Sequence, residues 1–401
     1  MTEGHDTNRL ERPSVTTKEA PQKAQRLASL DVMRGLTVML MIFVNNGAGH
    51  NIFPMLQHAK WNGMTLADVV FPFFLFIMGV SAFLSMKKFG FKWSAPLVRK
   101  IAKRTLLLFA IGLAINWFDM ACDGRPFDLG HLRLMGVMQR LSLCYGLTAF
   151  TVLSLASAAR ACRMPRLAQG TMVALITFIL VAHGFLLLTL GGFDYDAATN
   201  FLARIDQSAL GFDHLYHKSP VDPEGLGSTL AATCNTLIGF LLATLALGRR
   251  LGNAARHAQR VFTDGGGLLL LMAALTCGFI SLNKRVWSPS YVLMTCALAA
   301  LLQGMLIALI DVRQMARRIA VPKAAGKLAL IFGTNPLFLY VASEALAIIL
   351  SATHLKDTTY ALLHSIIASE PWASVAYSVL FLTIMSAMGF FLWKRHIFIK
   401  L

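Results

Sequence analysis

Hydrophobicity cuts this chain into about ten apolar blocks of about 20 residues, the length that crosses a hydrocarbon core of ~30 Å as an α-helix. They run over roughly 29–49, 68–86, 101–117, 137–158, 170–190, 227–247, 264–282, 291–311, 327–350 and 374–393. Inside lipid each segment must satisfy its own backbone hydrogen bonds, so blocks of this length are helices. The expected class is an all-α polytopic membrane protein with about ten transmembrane helices. Composition agrees: 56% of the 401 residues are hydrophobic and 14% charged, against about 25% charged in soluble domains. Residues 1–28 are polar and mixed in charge, with no apolar core of a signal peptide. A flexible cytoplasmic tail is expected there, ahead of one domain over 29–401.

A net charge of +17 would suit a nucleic-acid binder, but its distribution excludes that class. Basic residues collect on alternate connections. Lys87, Lys88, Lys92, Arg99, Lys100, Lys103 and Arg104 follow the second block, Arg249, Arg250, Arg256 and Arg260 the sixth, and Arg313, Arg317 and Arg318 the eighth. The connections between them are poor in Lys and Arg. This alternation is the positive-inside pattern, which puts both termini in the cytoplasm. The segments 50–67, 118–136 and 191–226 then face outside. The six cysteines fall mostly in or beside apolar blocks without CxxC spacing, which argues against a disulfide framework or a zinc site.

Polar residues in such a setting are costly and mark either pairing or function. In "SLDVMRGL" (29–36), Asp31 and Arg34 share a helix face at i, i+3. They make either a helix-end ion pair or, for Arg34, a phosphate contact, because guanidinium suits bidentate phosphate binding. Lys100, Lys103 and Arg104 are further electrostatic candidates for a polyanion arriving from the cytoplasm. "FVNNGAGH" ends the first block with Asn45 and Asn46, amides that can cap a helix or donate to a developing oxyanion. "QHAKWNG" (57–63) then gathers His58, Trp61 and Asn62 in a short polar gap, followed by Asp68 at the mouth of the second helix. Imidazole titrates near neutrality and can take and return a proton. A buried imidazole would be kept neutral, since desolvation disfavours imidazolium.

A second outer group comprises His214, His217, Asp222 and Glu224. Its irregular spacing fits sugar binding or loop ordering better than metal ligation. Arg140, in "GVMQRL", and Glu344 are intramembrane ionisable residues able to pair with each other, and "FGTNP" places Asn335 within the ninth block. No phosphate-binding loop, dinucleotide fingerprint or HExxH motif occurs. No metal is expected.

Six stretches in order, "SLDVMRGLTVMLMIFVNNGAG", "QHAKWNGMTLADVVFPFFLFIMGVS", "LRLMGVMQRLSLCY", "DPEGLGST", "NKRVWSPSYVL" and "FGTNPLFLY", resemble the heparan-α-glucosaminide N-acetyltransferase family in its short bacterial form. The resemblance covers about residues 26–401. It implies a transmembrane acyltransferase fold in a bacterial inner membrane, with a homodimer as the expected assembly. It also implies acetyl-CoA as co-substrate, taken from the cytoplasm, and a glucosamine-type acceptor amine on the periplasmic side. The family's catalytic histidine falls on His58 and its asparagine before the glycines on Asn45. Arg34, Lys100, Lys103, Arg104 and Asn335 are then assigned to acetyl-CoA. Trp61, Asn62, Asp68, Arg140, Asp222 and Glu224 are assigned to the acceptor. The lysosomal member carries a folded luminal region ahead of its first helix. Here a polar stretch stands in that place, so a small or bacterial glycan is expected rather than a long heparan chain. Direct transfer with His58 as general base and Asn45 as oxyanion donor stands beside an acetyl-imidazole intermediate. A transporter of amino sugars without acyl transfer, or a structural membrane protein, is the alternative class.

Overall fold

A computed structural model describes residues 27–162, 165–190, 200–216, 219, 221–248, 253–313 and 320–399. Its described residues contain thirteen α-helices and no strand. They are α1 (Ala28–Asn45), α2 (Leu66–Lys87), α3 (Ala95–Cys122), α4 (Val137–Ala161), α5 (Pro165–Leu190), α6 (Phe201–Leu210) and α7 (Leu226–Leu247). There follow α8 (Ala254–Cys277), α9 (Pro289–Leu306), α10 (Ala320–Thr334), α11 (Pro336–Ala352), α12 (Leu355–Ile366) and α13 (Glu370–Lys394). Among them, 9 are long and apolar enough to span a bilayer alone, and α10 with α11 reaches that length and apolarity only as a pair bent by 84°. The chain is an integral membrane protein. The expected tail lies, except for residues 27 and 28, outside the described residues, as does His217.

Three departures from the sequence expectation have plain physical causes. The ninth block is not one helix: α10 and α11 meet at 84°. Pro336 has no N–H to continue the ladder and pushes its predecessor out of the α region; Asn335 sits at φ −129°, ψ 48°. The segment 191–226 contains a short helix, α6, whose N-terminus is closed by the Asn200 side chain accepting from the Ala203 N–H at 3.0 Å. The connection before the last span likewise contains α12, an amphipathic helix too short to cross a bilayer.

Helices α2 and α7 form the centre. A Cβ on Gly79 would fall on the Thr236 carbonyl, and one on Gly239 on the Phe76 carbonyl. Small residues at these two points let the backbones touch, the usual way that helices bind one another where no hydrophobic drive is left. Around this contact, one continuous buried cluster runs through Phe76, Phe83, Leu237, Phe240, Phe262 and Tyr291. A second cluster (Val38, Ile42, Phe332, Leu339, Phe381) joins α1 to α10, α11 and α13. The rigid α2–α7–α9 core therefore carries the loops at both of its ends.

Candidate active site

Helix α2 begins with a capping box: Asp68 Oδ2 accepts from the backbone N–H and the hydroxyl of Thr65 at 3.1 and 3.0 Å. The same oxygen takes the Ala59 N–H at 3.1 Å and so ties down the preceding loop. The other oxygen, Oδ1, lies 2.8 Å from Nδ1 of His58. One carboxylate thus caps the helix, closes the loop and orients the imidazole. It is fully buried, and its backbone carbonyl accepts from the Tyr291 hydroxyl at 2.6 Å. With Nδ1–H donating to Asp68, Nε2 is left with the lone pair. The imidazole itself is 53% exposed; burial belongs to the carboxylate beneath it.

The facing wall is the loop between α8 and α9. The Gly63 N–H donates to the Leu282 carbonyl at 2.7 Å, and the Asn283 amide donates to Asn62 Oδ1 at 3.2 Å. Trp61 packs beside Leu187, Leu202, Ile280 and Val286. Within this loop Trp287 adopts φ 52°, a left-handed conformation rare for a bulky residue. It is held there by burial, by its indole N–H donating to Asn235 Oδ1 at 2.9 Å, and by the Arg140 guanidinium 4.9 Å over its ring. On α5, His183 Nε2 lies 2.9 Å from the Val286 carbonyl. The loop so fixed brings Lys284 to His58: its Nζ is 3.1 Å from Nδ1, 3.5 Å from Nε2 and 3.5 Å from Asp68 Oδ1. Burial pulls the Lys284 ammonium below the usual lysine range, while Glu224 and Asp68 oppose that fall.

A third and a fourth loop complete the cluster. Arg133, between α3 and α4, donates to Asp222 at 3.0 Å and Glu224 at 2.8 Å and covers the Tyr216 ring at 4.4 Å. Burial pulls the Arg133 guanidinium down, but Glu224 and Asp222 outweigh it and hold it above the ordinary arginine value. Burial raises the Glu224 carboxyl, yet Arg133, with Lys284 and Arg140 behind it, brings it below its ordinary range. Asp222 also accepts the N–H groups of Tyr216 and Glu224. Arg140 does not pair with Glu344. Its guanidinium is fully buried and donates to the Gly225 carbonyl at 2.8 Å and to the Ser228 hydroxyl. Glu344 instead faces Asn45, at the end of α1. Asn46, not Asn45, closes that helix, donating to the Ile42 carbonyl at 2.7 Å.

The structure therefore gathers His58, Trp61, Asn62, Asp68, Asp222 and Glu224 at one end of the bundle, with Arg140 below. Asn45 is exposed near that end but takes no part in the hydrogen bonds of the His58 cluster. Asp222 and Arg140 are both inaccessible to solvent. Sequence reading missed Lys284, Arg133 and the Asn283–Trp287 support. For Lys284 a signal was present: it is a lysine on the side otherwise poor in basic residues.

Opposite this end lie the residues assigned to a polyanion. Arg34 donates to Asp31 Oδ1 at 3.1 Å and to the Ser81 hydroxyl at 2.8 Å. Lys100 donates to the Ser85 hydroxyl at 2.8 Å, one turn along the same stripe of α2. The Arg104 guanidinium lies 4.6 Å over the Tyr145 ring with its Nε buried and unbonded in the protein, and Lys103 is exposed. Asn335 stands at the same end, just beyond Gly333, which packs against the Asp31 carbonyl. The Asn335 amide donates to the Ile397 carbonyl at 2.9 Å and accepts from the Ile399 N–H at 2.8 Å, pinning the C-terminal segment at the α10–α11 break. Among the described residues no three His, Cys, Asp or Glu side chains are grouped to hold a metal ion.

Residues 26–195 match the family model described as heparan-alpha-glucosaminide N-acetyltransferase, catalytic. The human heparan-alpha-glucosaminide N-acetyltransferase is 31% identical over 88% of this chain and 58% of its own length. The mouse protein of the same name is 28% identical over 88% of this chain and 59% of its own. The chain thus spans somewhat under two thirds of the curated relatives it matches.

Proposed function

Residues 26–195 match the catalytic model of the heparan-alpha-glucosaminide N-acetyltransferases, and on that premise we propose that the chain is a membrane acetyltransferase of that family. It moves acetyl from acetyl-CoA to the amine of a glucosamine-type sugar. The observation that supports this most directly is the His58–Asp68 pair: a 2.8 Å contact to a buried carboxylate beneath a half-exposed imidazole. That arrangement orients a general base.

In the proposed reaction Nε2 of His58 takes a proton from the acceptor nitrogen as that nitrogen attacks the thioester carbonyl. The carbon–nitrogen bond forms, the carbon–sulfur bond breaks, and CoA leaves as its thiol once it regains a proton. Asn45 donates to the oxyanion. Trp61, Asn62 and Glu224 bound the acceptor, while Arg140 and Asp222 support that wall from beneath. At the other end of the bundle, Arg34, Lys100, Lys103 and Arg104 receive the CoA phosphates. Asn335 shapes the same end through the α10–α11 break. The basic connections on that side support a cytoplasmic origin for acetyl-CoA and a periplasmic acceptor across a bacterial inner membrane. Both termini are then cytoplasmic, and the working assembly is a homodimer.

The test of this sidedness uses protein reconstituted in liposomes, with radiolabelled acetyl-CoA inside and glucosamine outside. Labelled N-acetylglucosamine is expected in the outer solution from vesicles that carry the basic loops inward. Label that stays inside, or product that forms only when both reagents share one side, overturns the proposal.

A further inference from the structure

We propose that Lys284 is a positioning residue for His58: it keeps a second proton off the imidazole, so that Nε2 stays free to accept one from substrate. The consequence for catalysis rests on the acetyl-transfer reading above; the geometry does not. Lys284 Nζ lies 3.1 Å from Nδ1 and 3.5 Å from Nε2. Being nearly equidistant, it stands beside the ring rather than end-on to either lone pair. Nδ1 is already engaged by Asp68 Oδ1 at 2.8 Å, so the ammonium has no acceptor there. It acts on the ring as one charge acts on another.

Among the described residues, the ionisable groups bonded to His58 stand on two elements. Asp68, on α2, favours the doubly protonated ring; Lys284, on the α8–α9 loop, opposes it. A buried carboxylate alone would draw a second proton onto the imidazole and fill the lone pair that a base needs. Lys284 offsets that pull. Its side chain is only 13% exposed, so water screens it weakly. Lys284 is itself faced by Asp68, by Glu224 from the α6–α7 loop and by Arg140 from below. The two carboxylates favour its charged form, and Arg133 in turn holds Glu224 in place at 2.8 Å. Lys284 neither gains nor loses a proton in the reaction; it acts through His58.

The experiment is an NMR titration of the full-length protein in detergent, labelled at histidine Cε1. The His58 signal is identified as the one missing from His58→Gln. In Lys284→Met its midpoint moves up, as loss of a neighbouring cation requires. In Lys284→Arg, which keeps the charge, it stays. In Asp68→Asn it moves down. Glucosamine-dependent CoA release, followed against pH, loses activity on the acid side in Lys284→Met and regains it at higher pH, a recovery that a structural lesion would not give. Should Lys284→Met fail to fold, Lys284→Gln serves in its place with the same expected direction. A midpoint unmoved in a folded neutral variant, or displaced as far in Lys284→Arg, overturns the proposal. Absence of glucosamine-dependent release from the wild type, with the midpoints still shifting, overturns the enzymatic reading alone.

Discussion

The two ends of the bundle treat charge in opposite ways. Around His58, cations and carboxylates alternate: Asp68 with His58 and Lys284, then Arg133 with Asp222 and Glu224. Four loops are locked to one another by these contacts and by the Asn62–Asn283 amide pair. At the opposite end, among the described residues, Arg34 pairs with Asp31, beside Lys100, Lys103 and Arg104. Serine hydroxyls and aromatic rings are among the other partners of these cations, and the Arg104 Nε is buried with no hydrogen bond in the described structure. A network whose charges are matched internally is rigid and places a proton acceptor accurately. A cluster rich in cations, held mainly by hydroxyls and rings, is positioned to attract an anion from outside. The first end suits chemistry on a small neutral or amine-bearing acceptor, the second the phosphates of a large donor.

If this contrast holds, variants at the two ends fail differently. The largest effect belongs to His58→Ala: kcat for glucosamine-dependent CoA release falls by about 10²–10⁴, with thermal unfolding unchanged because the side chain is half-exposed. Next comes Arg133→Met, which leaves Asp222 and Glu224 buried without their cation. Loss of about 3–5 kcal/mol is expected, read as a lowered melting temperature rather than as a selective loss of turnover. A smaller effect separates a residue beside the network from those within it. Burial pushes the Asp206 carboxyl up from 3.8 to about 6, so the folded chain keeps a proton that the unfolded chain releases. Its contribution to stability is complete below about pH 4 and is lost as pH rises through about 6. Asp206→Asn should therefore raise the melting temperature at pH 7.5, by about 1–3 kcal/mol in stability, and leave it unchanged at pH 4. The smallest change is at the basic end. Arg34→Met or Arg104→Met raises the KM for acetyl-CoA about tenfold each and leaves kcat nearly intact. A kcat loss there of the size seen at His58 would erase the distinction between the two ends.

Span number, helix identity and the His58–Asp68 neighbourhood were legible because they depend on local pattern: runs of apolar length, and two residues ten positions apart around a single helix start. The break at Asn335 was written in "GTNP", where proline forbids the helix that hydropathy alone draws through it. Lys284, Arg133 and Asn235 were not legible in the same sense. Each meets its partner across a long stretch of chain, so only packing of α2 against α7 and α9 decides the contact. Arg140 and Glu344, able to pair by charge, do not meet for the same reason: two charges of opposite sign in one membrane need not share a face. The helices α6 and α12 went unseen because they are short and amphipathic, and hydropathy averages them away.

The central claim is that His58, oriented by Asp68, is the base of an acetyl transfer. The most direct test follows CoA release from acetyl-CoA by purified protein, with and without glucosamine, in wild type and His58→Ala. Release that requires glucosamine and disappears in the folded variant is the expected result. Release that continues undiminished in His58→Ala, or wild-type protein that binds or carries amino sugars without consuming acetyl-CoA, would contradict it.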